Sequence, residues 1–219
     1  YEYIPHLNCV EDIGTKNDDK LLAHYTCNNN VYDYSSNSNN GNIVGNVTYV
    51  DDPIMGNVCS FGTYPSYIDL PIGFNFNMAN PYSFSMWIKS SSISGQPVFF
   101  GANNGTNQRL YMSIYYEKWD IGIGGAGWDT AYSVTPATTN WTNLVLVMNG
   151  SVAKLYVNGK FSMQKGIIPY SLASNFKVGV HGTLNSTFQF NGYMDDIRIY
   201  NRLLSAEEIK INYDTRSIK

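Results

Sequence analysis

Charge is scarce in this sequence. Lys, Arg, Asp and Glu make up 14% of its 219 residues, and the formal net charge is −3. The basic residues are scattered, and none form the stripe that a phosphate backbone requires, so nucleic acid is excluded as a partner. Glutamate is scarcer still, with five: Glu2, Glu11, Glu117, Glu207 and Glu208. A retaining glycosidase needs two carboxyl groups about 5 Å apart. Two of the five fall in the polar N-terminal stretch and two in an expected terminal helix, which leaves Glu117 alone in the turn of a Tyr-rich hairpin. Asp120 and Asp129 lie near it at no spacing that suits acid/base work. G-x-S-x-G, a nucleophilic Cys–His pair and a phosphate loop are all missing. The chain therefore reads as a non-enzyme. The three histidines, His6, His24 and His181, are isolated and none sits at zinc spacing; they read as ordinary surface or strand residues.

Long apolar runs are missing too. No stretch reaches 18 residues, so no membrane span is expected. The opening YEYIPHLNCV does not read as a signal peptide, and a secreted form would be a mature or trimmed one. Cysteines number three, Cys9, Cys27 and Cys59. At most one internal disulfide can form.

Gly, Asn, Ser, Thr and Tyr are abundant instead. Sequons occur at Asn46, Asn104, Asn140, Asn149 and Asn185. With 26 Asn and 33 Ser plus Thr, chance supplies about four, so the count says nothing about secretion. Residues 1–19 are polar and aperiodic and read as an arm or linker. From residue 20 to 219 short apolar alternations recur every 8–15 residues with turn signals between them, as in a sandwich or barrel. Strands are expected at 22–27, 58–61, 67–70, 84–88, 98–101, 109–116, 118–123, 141–148, 153–157, 176–180 and 193–200. Asn149-Gly150 and Asn158-Gly159 mark hairpin turns. Ser205 and Glu208 fit a capping box opening one short helix at 205–213. The fold class is all-β: an antiparallel two-sheet β-sandwich with one short C-terminal helix.

The segment GYMDDIRIYNRLLS at 192–205 resembles the closing signature of laminin G-like, concanavalin A-like lectin/glucanase domains. Three other segments resemble the family in order: LAHYTC at 22–27 with DYSSNSNNG at 33–41, YSFSMWI at 82–88, and NWTNLVLVM at 140–148 with KLYVNG at 154–159. The resemblance spans roughly residues 20–214 and implies a jelly roll. It does not imply one function, because lectins, glycosidases and adhesive modules share this fold. It implies core places for Trp87 and Trp141. It puts Cys27 and Cys59 at positions usually apolar on neighbouring strands, as buried thiols or, if their Cα atoms are close enough, as a disulfide.

Strand alternation puts Asp195 beside Ile197 and Ile199, facing the core, with Asp196 and Arg198 on the other face. A bare carboxylate in a core costs several kcal/mol unless paired or coordinated. Either Asp195 accepts backbone N–H bonds from the first loop, or it ligates a structural Ca²⁺. The resemblance implies such an ion, with Asn28 and Asn29 as further ligands.

For ligand binding, the stretch from Arg109 to Asp120 and the following GIGGAGWDTAYS stand out. With Met112 and Ile114 in the core, Tyr111 and Tyr115 should point outward, joined by Trp119 of the next strand, unless tyrosine merely serves as a β-former. Trp128 lies in a Gly-rich loop with no packing reason to be there. Aromatic faces suit the C–H faces of sugar rings, and Asn103, Asn104, Gln108, Arg109 and Asp129 could meet the hydroxyls. The expectation is a non-catalytic extracellular, cell-surface or virion-surface module that binds glycan or glycoprotein, or mediates adhesion. An assembly domain of a filament, capsid or cell-surface polymer, joined through residues 1–19, is the alternative, and a glycoside hydrolase a third.

Overall fold

The computed structural model describes residues 18–71, 76–103, 108–124, 130–172 and 176–217. Among them the chain is antiparallel β-structure with one α-helix. The strands run β1 (Leu21–Tyr25), β2 (Asn42–Asp52), β3 (Gly56–Asp69), β4 (Phe76–Asn77), β5 (Tyr82–Ser90), β6 (Val98–Asn103), β7 (Arg109–Tyr115) and β8 (Lys118–Gly124). They continue as β9 (Thr130–Pro136), β10 (Thr142–Met148), β11 (Val152–Val157), β12 (Lys160–Gly166), β13 (Ser171–Leu172), β14 (Lys177–Val178) and β15 (Gly192–Tyr200), before α1 (Ala206–Ser217).

Hydrogen bonding links the main strands in the order β12-β11-β10-β5-β15-β3-β14-β6-β7-β8-β9, with β1 on β15 and β2 on β3. This is one continuous path where the sequence suggests two separate sheets. The cause is β3. Its first half pairs with β15 at Cys59–Phe61, and its last residues, Ile68 and Asp69, pair with β14. One long strand therefore carries the pairing from β15 on to β14. The path curls until its two ends meet, where the Ser162 hydroxyl of β12 lies 3.3 Å from that of Thr135 of β9.

Apolar alternation fills the space inside. Phe84, Met86 and Ile88 of β5 face Leu144, Leu146 and Met148 of β10, and across the core lie Phe100, Met112, Ile114 and Ile121. The rings of Phe76, Phe84, Phe100 and Phe176 pack 4.7–5.7 Å apart, close enough to add to burial. Both Asn-Gly turns are present. At Asn158-Gly159 both residues have positive φ, 50° and 72°, as a two-residue turn whose twist matches its strands requires. The capping box also forms: Glu208 N donates to Ser205 Oγ, and Ser205 N donates back to Glu208 Oε2 at 2.7 Å.

Five strands escape the sequence reading, of which β4 and β13 are two-residue strands paired with each other. β2 is broken in pattern by Gly45 and Asn46, where a bulge shifts its register against β3. β9 and β12 lie at the ends of the path, where half of each strand faces solvent and apolar alternation is weak. The helix runs to Ser217 rather than 213 because its end is tied to the sheet.

Candidate functional site

The two aspartates of β15 are separated by a β-bulge. Asp195 lies opposite Trp87 and Arg198 opposite Ser85, so three steps of β15 match two of β5. Asp196 absorbs the extra residue at φ 51°. One inserted residue inverts the alternation. Met194 before the bulge and Ile197 after it both face the core, and Asp195 is turned outward, beside Trp87 and under α1. Its carboxylate is still fully buried and accepts a hydrogen bond from Arg216 Nη2. Burial pushes its pKa up to about 6, against the pull of Arg216. Trp87 stacks on Tyr213 of the same helix, ring centroids 5.6 Å apart.

The tie between β15 and the first strand runs through the other aspartate. Asp196 Oδ1 accepts from Arg198 Nε at 2.8 Å and lies 2.7 Å from His24 Nε2 of β1. Burial alone would raise its pKa. The Arg198 guanidinium and His24 outweigh that and hold the carboxyl well below the usual range. Asn28 and Asn29 follow β1 as exposed loop residues, Asn29 at φ 58°. The donor set does not fit a divalent ion at Asp195, because a guanidinium already holds that carboxylate and Asp196 is committed to Arg198 and His24. Among the described residues no group of three His, Cys, Asp or Glu is gathered that could hold a metal.

Cys27 and Cys59 form a disulfide, with Cα atoms 5.1 Å apart and both side chains buried. The free-thiol alternative is thereby overturned. The bridge joins the segment just after β1 to β3 within the core. Of the two core tryptophans, Trp87 is buried on the outer face beneath α1, and Trp141 is half-buried with its Nε1 donating to Asp52 at 3.0 Å.

The outer face of β6–β9 corrects the aromatic expectations. Trp119 is 1% exposed and packs in the core against Phe99, centroids 5.8 Å apart, so it cannot touch a ligand. Tyr111 does face outward from the core, yet it is also only 1% exposed. Its ring lies flat over Gly122, where any Cβ would stand 2.0 Å from Cζ, and His181 covers it edge-on. Arg109 is half-buried, and Tyr170 Oη is bonded to both its backbone N–H and its carbonyl. Gln108 is half-buried and lines a separate cavity of about 540 Å³ with Ile123 and Tyr170, and Asn103 ends β6. Asn104, Trp128 and Asp129 lie outside the described residues.

Tyr115 remains, at the edge of a different cluster. β7 and β8 are joined by Tyr116 and Glu117, both with positive φ, 49° and 58°. Such a turn favours Asn and Gly, so a tyrosine and a glutamate here are held at a conformational cost. Tyr116 stands 71% exposed at the tip. Its ring centroid is 4.2 Å from that of Tyr115 and 6.1 Å from that of Tyr132 on β9. Beneath them, Asp120 is buried and accepts from Ser113 Oγ at 2.8 Å. Burial lifts its pKa to about 7, so it is largely neutral in mild acid.

The tyrosines wall a groove. A cavity of about 360 Å³ lies between Tyr115, Tyr116 and Glu117 on one side and Ile93, Ser94 and Gly95 on the other. A second, of about 110 Å³, shares Ser94 and Gly95 and continues past Gln96 to Thr187 and Asn191. Together they run along the loop SSISGQP at 91–97 between β5 and β6. Serine hydroxyls, the Gln96 amide and the Asn191 amide alternate along it. The run of serines before Gly-Gln-Pro is the signal in the sequence that marks this loop.

The described chain shares its fold with several solved structures. It superimposes on the binding domain of Paraclostridial Mosquitocidal Protein 1 with a TM-score of 0.74 at 17% identity, over 90% of this chain and 52% of that one. Domain 4 of AbnA, a GH43 extracellular arabinanase from Geobacillus stearothermophilus solved with arabinotriose, gives 0.68 at 23% identity, over 89% and 98%. The botulinum neurotoxin serotype D ligand binding domain solved with N-acetylneuraminic acid gives 0.68 at 18% identity, over 90% and 51%. The chain thus spans about half the length of the toxin binding domains it matches. No curated protein matches it in sequence. Residues 61–210, which include the later part of β3, the hairpins and the Asp195–Asp196 bulge, match the family's sequence pattern, and the chain belongs to the concanavalin A-like lectin/glucanases superfamily, in its laminin G-like branch.

Proposed function

We propose that this domain is a non-catalytic carbohydrate-binding module, and that its site is the groove between the 91–97 loop and the Tyr116 turn. The observation that carries the proposal is Tyr116: a large ring, 71% exposed, presented from a turn that disfavours tyrosine and braced by two further tyrosines. An aromatic face beside hydroxyl and amide groups suits a sugar ring, which is apolar on its C–H face and polar at its rim. The volume of about 360 Å³ falls in the range of small-molecule sites. Glu117 is the sole carboxylate among the described residues lining the groove, which favours binding without hydrolysis.

Solved relatives of the fold support the reading, since they include toxin ligand-binding domains and a domain captured with arabinotriose. An extracellular or surface setting goes with it, because the Cys27–Cys59 bridge persists in an oxidising environment. We read the curled sheet as a two-layer jelly roll, with the groove on its outer surface rather than between its layers.

The test is a glycan array followed by calorimetry on the best-bound oligosaccharide. Tyr116→Ala should weaken binding about tenfold, equivalent to ~1.4 kcal/mol, with unchanged thermal stability because the ring is exposed. Retention of full affinity in both Tyr116→Ala and Tyr115→Ala would remove the groove as the site.

A further inference from the structure

Resting on the carbohydrate-binding reading, the charge around the groove defines the class of glycan it accepts. We infer that the groove selects neutral oligosaccharides and rejects those carrying a carboxylate or sulfate.

Three observations carry this. First, among the described residues the lining of both cavities contains one charged side chain, Glu117, and it is acidic. Among the described residues no Lys, Arg or His lines either cavity. The internal segments at 72–75, 104–107, 125–129 and 173–175 contain no Lys, Arg or His in sequence, so they supply no cation either. Second, the basic residues nearest in the fold are placed elsewhere. Lys118 sits across the hairpin from Tyr115 and lines neither cavity. Lys165 acts on Asp120, and Arg109 on Tyr111 and His181, and neither lines a cavity. Third, the polar groups that do line the groove are hydroxyls and amides of Ser92, Ser94, Gln96 and Asn191. These match sugar hydroxyls in both donor and acceptor roles. Anion recognition instead uses a guanidinium fork, an ammonium or a cluster of N–H donors.

An acidic sugar entering here would bring its carboxylate toward Glu117, with no cation among the described lining residues to neutralise either. Like charges side by side at a partly desolvated site are a mechanism of rejection, and specificity is built as much from such repulsion as from attraction. The botulinum neurotoxin serotype D domain captured with N-acetylneuraminic acid takes an acidic sugar; the electrostatics of this groove place the present chain with the neutral-sugar binders.

The experiment uses the full chain and an array of matched pairs: neutral oligosaccharides, arabinotriose and lactose among them, with sialylated, uronate-bearing and sulfated counterparts. The expected result is binding to neutral members, with acidic counterparts at least tenfold weaker. Glu117→Gln should narrow that ratio about threefold, and raised salt should narrow it in wild type through screening. A purely steric preference would respond to neither. Acidic glycans bound as tightly as neutral ones, with both lost in Tyr116→Ala, would overturn the selectivity and leave the groove standing. Binding unaffected by Tyr116→Ala, or binding to no glycan, would overturn the underlying reading and this inference with it.

Discussion

Asp195 of β15 and Arg216 of α1 form a buried ion pair across the outer face of the sheet, and the helix owes its last turn to that contact. Removing the arginine leaves a buried carboxylate without its counter-charge, which costs about 3 kcal/mol where the group is ionised. Arg216→Ala should therefore lose more stability at pH 8 than at pH 5, since Asp195 escapes the penalty by protonating. Asp195→Asn, which removes the charge as well, should cost less. Urea unfolding at the two pH values checks both. Millimolar calcium should leave the melting temperature of wild type unchanged. A rise of several degrees that vanishes in Asp195→Asn would place a cation at that carboxylate.

Asp196 behaves in the opposite sense. Its pKa is depressed by Arg198 and His24, so it contributes stability above the unfolded value near 4 and loses it as pH falls. Asp196→Asn should be destabilised by about 3 kcal/mol at pH 7. The gap to wild type should close steadily below pH 4. A gap independent of pH would mean that the bulge geometry, not the charge, is what the aspartate provides.

Asp120 and His181 work against each other. Folded Asp120 keeps its proton to about pH 7, while the unfolded chain releases it near 4. Unfolding between these values sheds a proton, so stability falls as pH rises, by up to about 1.4 kcal/mol per unit. Buried His181, pushed down to about 4 by burial and Arg109, takes up a proton on unfolding below 6.5, so its effect rises with pH. Asp120→Asn should gain stability relative to wild type between pH 4 and 7 and hold that gain above 7. A flat difference across the range would show that Asp120 ionises freely in the fold.

The disulfide closes a loop of 32 residues. On the chain-entropy account, its loss in a Cys27→Ser, Cys59→Ser double variant costs about 3–4 kcal/mol. Reduction of wild type should shift the denaturation midpoint by the same amount, and the double variant should be indifferent to reductant. A response to reductant in the double variant would point to another bridge.

What the sequence determined by itself is what local rules encode. Alternation at Phe84, Met86 and Ile88 fixed a core strand, Asn158-Gly159 fixed a turn, and Ser205 with Glu208 fixed a helix start. Each depends only on residues a few positions apart, and together they sufficed for the fold class. The tertiary structure decided everything that passes through a non-local partner. A single inserted residue at Asp196 inverted the faces of β15, which no count of alternation across Asp195 and Ile197 reveals. Tyr111 and Tyr115 share a face and a residue type, but Gly122 and His181 bury the first while the edge of the sheet leaves the second at a groove. Exposure belongs to the packing of distant strands and loops, so the sequence could nominate aromatic residues for binding, and only the fold could say which of them meet solvent.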